Sequence, residues 1–265
     1  MGLRDLKLST SYETTESKSQ LLDDFYIPVL ENASKYYRIA GFFSSSALSV
    51  AAKGIEGLVK NGGKMYLLIS PEISEEDYKV LKEHGLHADS SVFSELSFET
   101  MPDENLKALA WLLDNGKLEI KIVVGKNSRN SLFHQKIGIV FDNAGDMISF
   151  SGSINETAQA WINNIEEFKV FCSWEPGQLD YLQSDLTKFL AYWKKQRPNV
   201  ADVYDIPESI KAQIVKIKPR DVWDLNIMRR YRKDKKISDN KLSLFPHQEL
   251  AVDAWKTNGY SLLME

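Results

Sequence analysis

Cysteine is almost absent: Cys172 stands alone in 265 residues. A lone thiol can close no disulfide within the chain and cannot build a cysteine-based zinc site, so a reducing, cytoplasmic setting is expected. Histidine is scarce too, at four residues. None of the four falls at zinc-ligand spacing, and no paired aspartates stand out for a two-metal centre. No apolar run approaches the roughly 18 residues of a membrane span, and the opening MGLRDLKLST has no apolar segment of signal-peptide length. No membrane partner is expected. Internal repeats and low-complexity segments are also missing, which excludes solenoids and arrays. Even an excess of one charge is small: 33 basic against 37 acidic residues give −4, a balance that does not by itself suggest a nucleic-acid partner.

What is present is ordinary core material. Hydrophobic residues make up 43% and aromatics 11%, enough to bury and too much for a disordered chain. The length allows one large domain, or one domain and a fragment. Strand-like runs occur at Tyr37–Phe43, Lys64–Ile69, Leu118–Val124, Lys136–Phe141, Met147–Phe150 and Phe168–Cys172. Helical spacing fits Ala47–Lys60, Ser74–Glu83, Asn105–Leu113 and Gln178–Lys195, with Gly62–Gly63 as a stop signal after the first. Strands alternating with helices and then following one another predict an α/β domain, a mixed sheet covered by helices. Arg197–Pro198–Asn199 breaks the last helix, and Pro207 and Pro219 follow. The main domain is therefore expected over 1–200, a connector over 201–240 and a separate tail over 241–265. Charge follows that division. Arg229, Arg230, Arg232, Lys233, Lys235 and Lys236 lie in one run, RRYRKDKK, worth +5, which leaves −9 for the other 257 residues. Such a run is either a solvated tether or an electrostatic contact surface.

Candidate chemistry concentrates between Ser131 and Phe171. His134 and Lys136 are two apart in a strand-like run, so both side chains leave the same face. An imidazole beside an ammonium is costly unless an anion sits between them. The next strand runs into Ser151-Gly152-Ser153-Ile154-Asn155, a turn expected to open a helix, offer free backbone N–H groups and favour negative charge. Ser153 and Asn155 add side-chain donors. Glu166, eleven residues beyond Asn155, opens the next strand, and a carboxylate there could orient the His134 ring and fix its tautomer. Taken singly, each group has a plain structural explanation: a surface histidine, a turn, a solvated strand start. Together they would build a phosphate site.

The ordered set His134-Gln135-Lys136, Gly152-Ser153-Ile154-Asn155 and Glu166 resembles the phospholipase D superfamily, with the Glu166 spacing most like its bacterial endonuclease branch. The resemblance covers roughly residues 20 to 195. It includes the stretch RIAGFFSSS, Arg38–Ser46, which is similar to the first strand of such domains when they precede helicases. One position departs from the family. Its motif often carries an aspartate after four residues beyond the lysine, whereas here five intervene before Asp142, which therefore reads as structural. The resemblance implies a phospholipase D-like mixed β-sheet sandwiched by helices, with a single H-x-K motif. It also implies a metal-independent phosphodiesterase that uses no cofactor. His134 would attack phosphorus and form a phosphohistidine. Lys136, Asn155 and Ser153 would stabilise the pentacovalent charge, and Glu166 would orient His134. A second histidine must protonate the leaving oxygen, so a single H-x-K implies a homodimer with two motifs facing across a two-fold axis.

The tail LSLFPHQELAVDAWKTNGYSLLME resembles the start of a superfamily 2 (DEAD/DEAH-type) helicase core, with Gln248 in its adenine-recognising element. The phosphate-binding loop that should follow is not in the sequence, so ATP and Mg2+ are expected only of a full-length helicase. On this resemblance the chain is the nuclease part of a helicase–nuclease, of the kind found in prokaryotic restriction and antiphage defence. Its basic run would hold DNA, or RNA, by phosphate contacts. Two alternatives stay open: a DNA-docking or dimerisation module for the motor, and a lipid phosphodiesterase.

Overall fold

A computed structural model describes residues 2–14, 21–41, 51–70, 110–125, 134–155 and 166–205. The chain divides into two compact units, Met1–Arg232 and Lys233–Glu265, and every described residue lies in the first. The expected helix over Ser74–Glu83, the basic run Arg229–Lys236 and the helicase-like tail with Gln248 lie outside the described residues.

Among the described residues eight strands form one sheet, in the order β1-β7-β6-β5-β2-β3-β4-β8. They are β1 (Ser11–Glu13), β2 (Lys35–Ala40), β3 (Lys64–Ile69), β4 (Leu118–Gly125), β5 (Ile137–Phe141), β6 (Met147–Gly152), β7 (Glu167–Cys172) and β8 (Ala201–Asp205). β2, β3 and β4 are parallel neighbours. β5, β6, β7 and β1 add on antiparallel at one side, and β8 adds on antiparallel at the other. This is the expected mixed α/β sheet. The centre reads as near-continuous apolar sequence because both faces are covered. On one face Tyr36, Leu67, Val140, Phe150 and Phe168 pack with a helical segment, Leu22–Tyr26, that runs into α1 (Ile27–Glu31), and with α2 (Ala52–Lys60). On the other, Ile39, Leu68 and Ile139 lie under Leu182, Phe189 and Tyr192 of α3 (Leu179–Trp193).

α2 is followed by Gly62 at a φ of 74°, the left-handed turn that the glycine pair signals. Two expectations are adjusted. Ala201–Asp205, expected in the connector, is an edge strand of the main sheet, paired with β4 from Lys121 to Gly125. His134 and Lys136 precede β5 rather than lying within it.

The antiparallel register brings remote segments together. Ile39↔Ile137, Ile137↔Ser151 and Gly152↔Phe168 are Cα partners. The C-terminal ends of β2 and β6 and the N-terminal ends of β5 and β7 therefore meet at one end of the sheet. In open α/β sheets the carboxyl end of the parallel strands is the usual position for a ligand.

Candidate active site

The five candidate catalytic residues, His134, Lys136, Ser153, Asn155 and Glu166, fall at that end of the sheet. His134 is exposed and Lys136 half-buried, just before β5. Lys136 turns its ammonium back onto its own segment, donating to the His134 carbonyl oxygen at 2.9 Å. The Lys136 carbonyl in turn accepts from the Gly152 N–H at 3.3 Å, so the lysine and the glycine–serine turn are joined through backbone.

Gly152 ends β6, opposite Phe168 of β7. A Cβ there would meet the Glu167 carbonyl oxygen at 2.0 Å and the Phe168 Cα at 2.6 Å, both backbone atoms that cannot swing aside. Only glycine lets β6 and β7 approach this closely and carry Ser153 past the start of β7. Ser153 then bonds across the two strands. Its N–H donates to the Glu167 carbonyl at 2.9 Å, its Oγ donates to Glu166 Oε2 at 2.5 Å, and the same Oγ accepts from the Glu167 N–H at 3.1 Å.

Those bonds correct one detail of the sequence reading. The N–H groups of Gly152 and Ser153 are engaged by Lys136 and Glu167, because the β6 ladder continues through the turn. They are not open donors at a helix start. The Ser153 hydroxyl proton is likewise engaged, by Glu166.

Glu166 is buried at 8% exposure, immediately before β7. A carboxylate so placed is tolerated only with hydrogen bonds to hold it. Its side chain accepts from Ser153, and its backbone is tied on both sides to Thr14: Glu166 N–H to Thr14 Oγ1 at 2.8 Å, and Thr14 N–H to the Glu166 carbonyl at 2.9 Å. Thr14 follows β1, and nothing in its local sequence marks it. Neighbouring Glu167 is exposed; hydrogen bonding from the Lys169 ammonium holds its carboxyl below the usual range. Asn155 is half-buried, and Ile154 between Ser153 and Asn155 is fully buried in the core.

Asp142 is structural, as expected. Its Oδ2 accepts from the Leu3 N–H at 2.9 Å, and its Oδ1 accepts from the Ala144 and Asp146 N–H groups at 2.9 Å each. It closes the β5–β6 turn and pins the N-terminal segment. Cys172 is buried, and desolvation pushes its thiol up to about 11, away from any nucleophilic role. Among the described residues, no group of three or more His, Cys, Asp and Glu could hold a metal ion, and no helix is long and apolar enough to cross a membrane.

The sequence marks Arg38 only as part of a strand, with no role in the site. Arg38, in β2, is fully buried, and its Nη2 donates to the Ile154 carbonyl oxygen inside the G-S-x-N segment. The signal was available: a guanidinium in the apolar run YYRIA, on the same face as Tyr36 and Ala40.

No protein-family model and no curated protein sequence matches the chain. Solved structures do resemble it. NucT from Helicobacter pylori superposes with a TM-score of 0.36 at 16% identity, over 67% of this chain and 95% of that one. Nuc from Salmonella typhimurium, a phospholipase D family member, gives 0.40 at 16% identity, over 74% of this chain and 96% of that one. Phosphatidylserine synthase of Haemophilus influenzae Rd KW20 gives 0.42 at 12% identity, over 86% of this chain and 45% of the synthase.

Proposed function

We propose that the chain is a phospholipase D-like phosphodiesterase, a metal-independent nuclease acting on DNA. The supporting observation is the junction of the three motif segments. The H-x-K segment is bonded to Gly152, and Ser153 of the next segment is bonded to Glu166 of the third. Residues up to 32 positions apart are thereby drawn to one end of three adjacent strands.

In this reading His134 attacks phosphorus in line, the P–O bond to the leaving oxygen breaks, and a phosphohistidine forms. Lys136 and Asn155 meet the charge that develops on the non-bridging oxygens. Glu166 orients the His134 imidazole, and Ser153 holds Glu166 in place. The proton for the leaving oxygen comes from His134 of a second copy of this chain. Water, deprotonated by that same imidazole, then releases the phosphate from His134. Attack and protonation thus need two H-x-K segments, and the active species is a homodimer. The basic run Arg229–Lys236 supplies non-specific phosphate contacts. Its place before a helicase-like tail suits the nuclease part of a helicase–nuclease serving restriction or antiphage defence.

Incubating the chain and a His134→Ala variant with plasmid and single-stranded DNA in EDTA tests this reading. Cleavage that survives EDTA and is lost in the variant supports it. Cleavage that requires added metal and persists in His134→Ala overturns it, and DNA binding without cleavage points to a docking module instead. Sedimentation at micromolar concentration should show a dimer.

A further inference from the structure

The Ser153–Asn155 segment is not held by its own strand alone. Arg38 reaches it from β2, two strands away in the sheet order. The route is set by three residues in cross-strand register, Arg38↔Gly138 and Gly138↔Phe150. Gly138 leaves the middle strand bare, and the Phe150 ring fills that space: a Cβ on Gly138 would stand 2.0 Å from Phe150 Cζ. The Arg38 guanidinium then lies 5.2 Å from the Phe150 ring centroid, a cation–π contact, while Nη2 donates to the carbonyl oxygen of Ile154. Ile154 is fully buried and flanked by Ser153 and Asn155.

A guanidinium at zero exposure is a costly way to fill a core. An apolar side chain of similar length would fill the same volume without desolvating a charge. What the arginine supplies that leucine or methionine would not is a rigid guanidinium fork, of which Nη2 donates to the Ile154 carbonyl. That carbonyl lies in the peptide unit joining Ile154 to Asn155. We infer that Arg38 is a positioning residue: through Phe150 and the Ile154 carbonyl it sets where Asn155 presents its side chain to the phosphate and where Ser153 meets Glu166. Its buried positive charge also lies behind a segment meant to meet an anion. The role attributed to the phosphate rests on the nuclease reading; the strap from β2 to Ile154 does not.

Three variants separate the possibilities. Arg38→Met keeps the length and apolar packing and removes the donors, Arg38→Lys keeps the charge without the fork, and Phe150→Leu removes the ring. Cleavage is followed as kcat and KM, well below each variant's unfolding temperature. Hydrogen exchange is followed for the backbone amides of 151–155. Arg38→Met is expected to lower kcat about 10- to 100-fold with KM within about 3-fold, the pattern of a displaced catalytic segment. Exchange over 151–155 should accelerate at least 10-fold, while β3 amides stay protected. Arg38→Lys should recover only part of each effect, and Phe150→Leu should fall between it and Arg38→Met.

Full kcat in Arg38→Met with unchanged exchange at 151–155 overturns the inference. So does acceleration spread evenly over the sheet, since that marks a purely structural core residue. If wild-type protein itself fails to cleave DNA, the nuclease reading falls, and the exchange pattern still decides whether Arg38 holds this segment.

Discussion

Ser153→Ala tests how the site is held together. The substitution removes a hydroxyl whose short bond goes to Glu166 Oε2 at 2.5 Å, with a long contact to the Glu167 carbonyl oxygen at 3.4 Å; its second bond accepts from the Glu167 N–H at 3.1 Å. The second bond lies on exposed surface, where water can replace the hydroxyl, so it contributes little to the loss. The first bond is to a carboxylate at 8% exposure. A hydrogen bond to a charged, buried group is worth roughly 1.5–3 kcal/mol. In a domain of this size that converts to a fall of roughly 3–12 °C in Tm. Much of the fall should vanish when Glu166 is made Gln as well. The double-mutant cycle of Ser153→Ala and Glu166→Gln should therefore show a coupling of about 1–2 kcal/mol. Thermal and urea unfolding of the four proteins measure it. Purely additive losses, or a Ser153→Ala protein as stable as wild type, would refute the claim that Ser153 holds Glu166.

Three further outcomes are expected. Asp142→Ala strands the N–H groups of Leu3, Ala144 and Asp146, each now bonded at 2.9 Å, and should cost roughly 3 kcal/mol in urea unfolding without changing cleavage by the folded protein. Cys172, its thiol at about 11, should hold on the order of one thiolate in a thousand at a pH of about 8 and react with an aromatic disulfide reagent only on unfolding; rapid native labelling would contradict the burial. Asp205, in β8, bonds Lys195 at 2.8 Å and lies 3.0 Å from the Lys121 ammonium, and the Lys195 bond leads in lowering its carboxyl below the usual aspartate value. Its contribution is therefore complete above that ordinary value and is lost as pH falls through the lower native one. Asp205→Asn should flatten that acid limb of the stability profile, and an unchanged limb would count against the pairing.

Which parts were legible in the sequence follows from burial. Lys64–Ile69 is β3 to the residue, because a parallel strand covered on both faces is apolar almost throughout. β1 and β8 were not read: SYE and ADVYD are short, charge-bearing edge strands whose identity comes from partners far along the chain. β8 for that reason extends the sheet beyond the boundary expected near residue 200. The candidate residues stand in the sequence as an ordered set, which says nothing of their bonding. The sequence places Ser153 thirteen positions from Glu166; only the β6–β7 register makes them partners. Arg38 was hidden for the same reason, since its target lies 116 residues away.

The central claim is a covalent phosphohistidine at His134, and the stereochemical course at phosphorus tests it most directly. Cleavage of a DNA substrate with one chiral phosphorothioate, in isotopically labelled water, should give retention of configuration, because two in-line displacements each invert. Rapid alkaline quench and mass spectrometry should place the acid-labile adduct on His134. Inversion at phosphorus, with no adduct on His134 during turnover, would contradict the account.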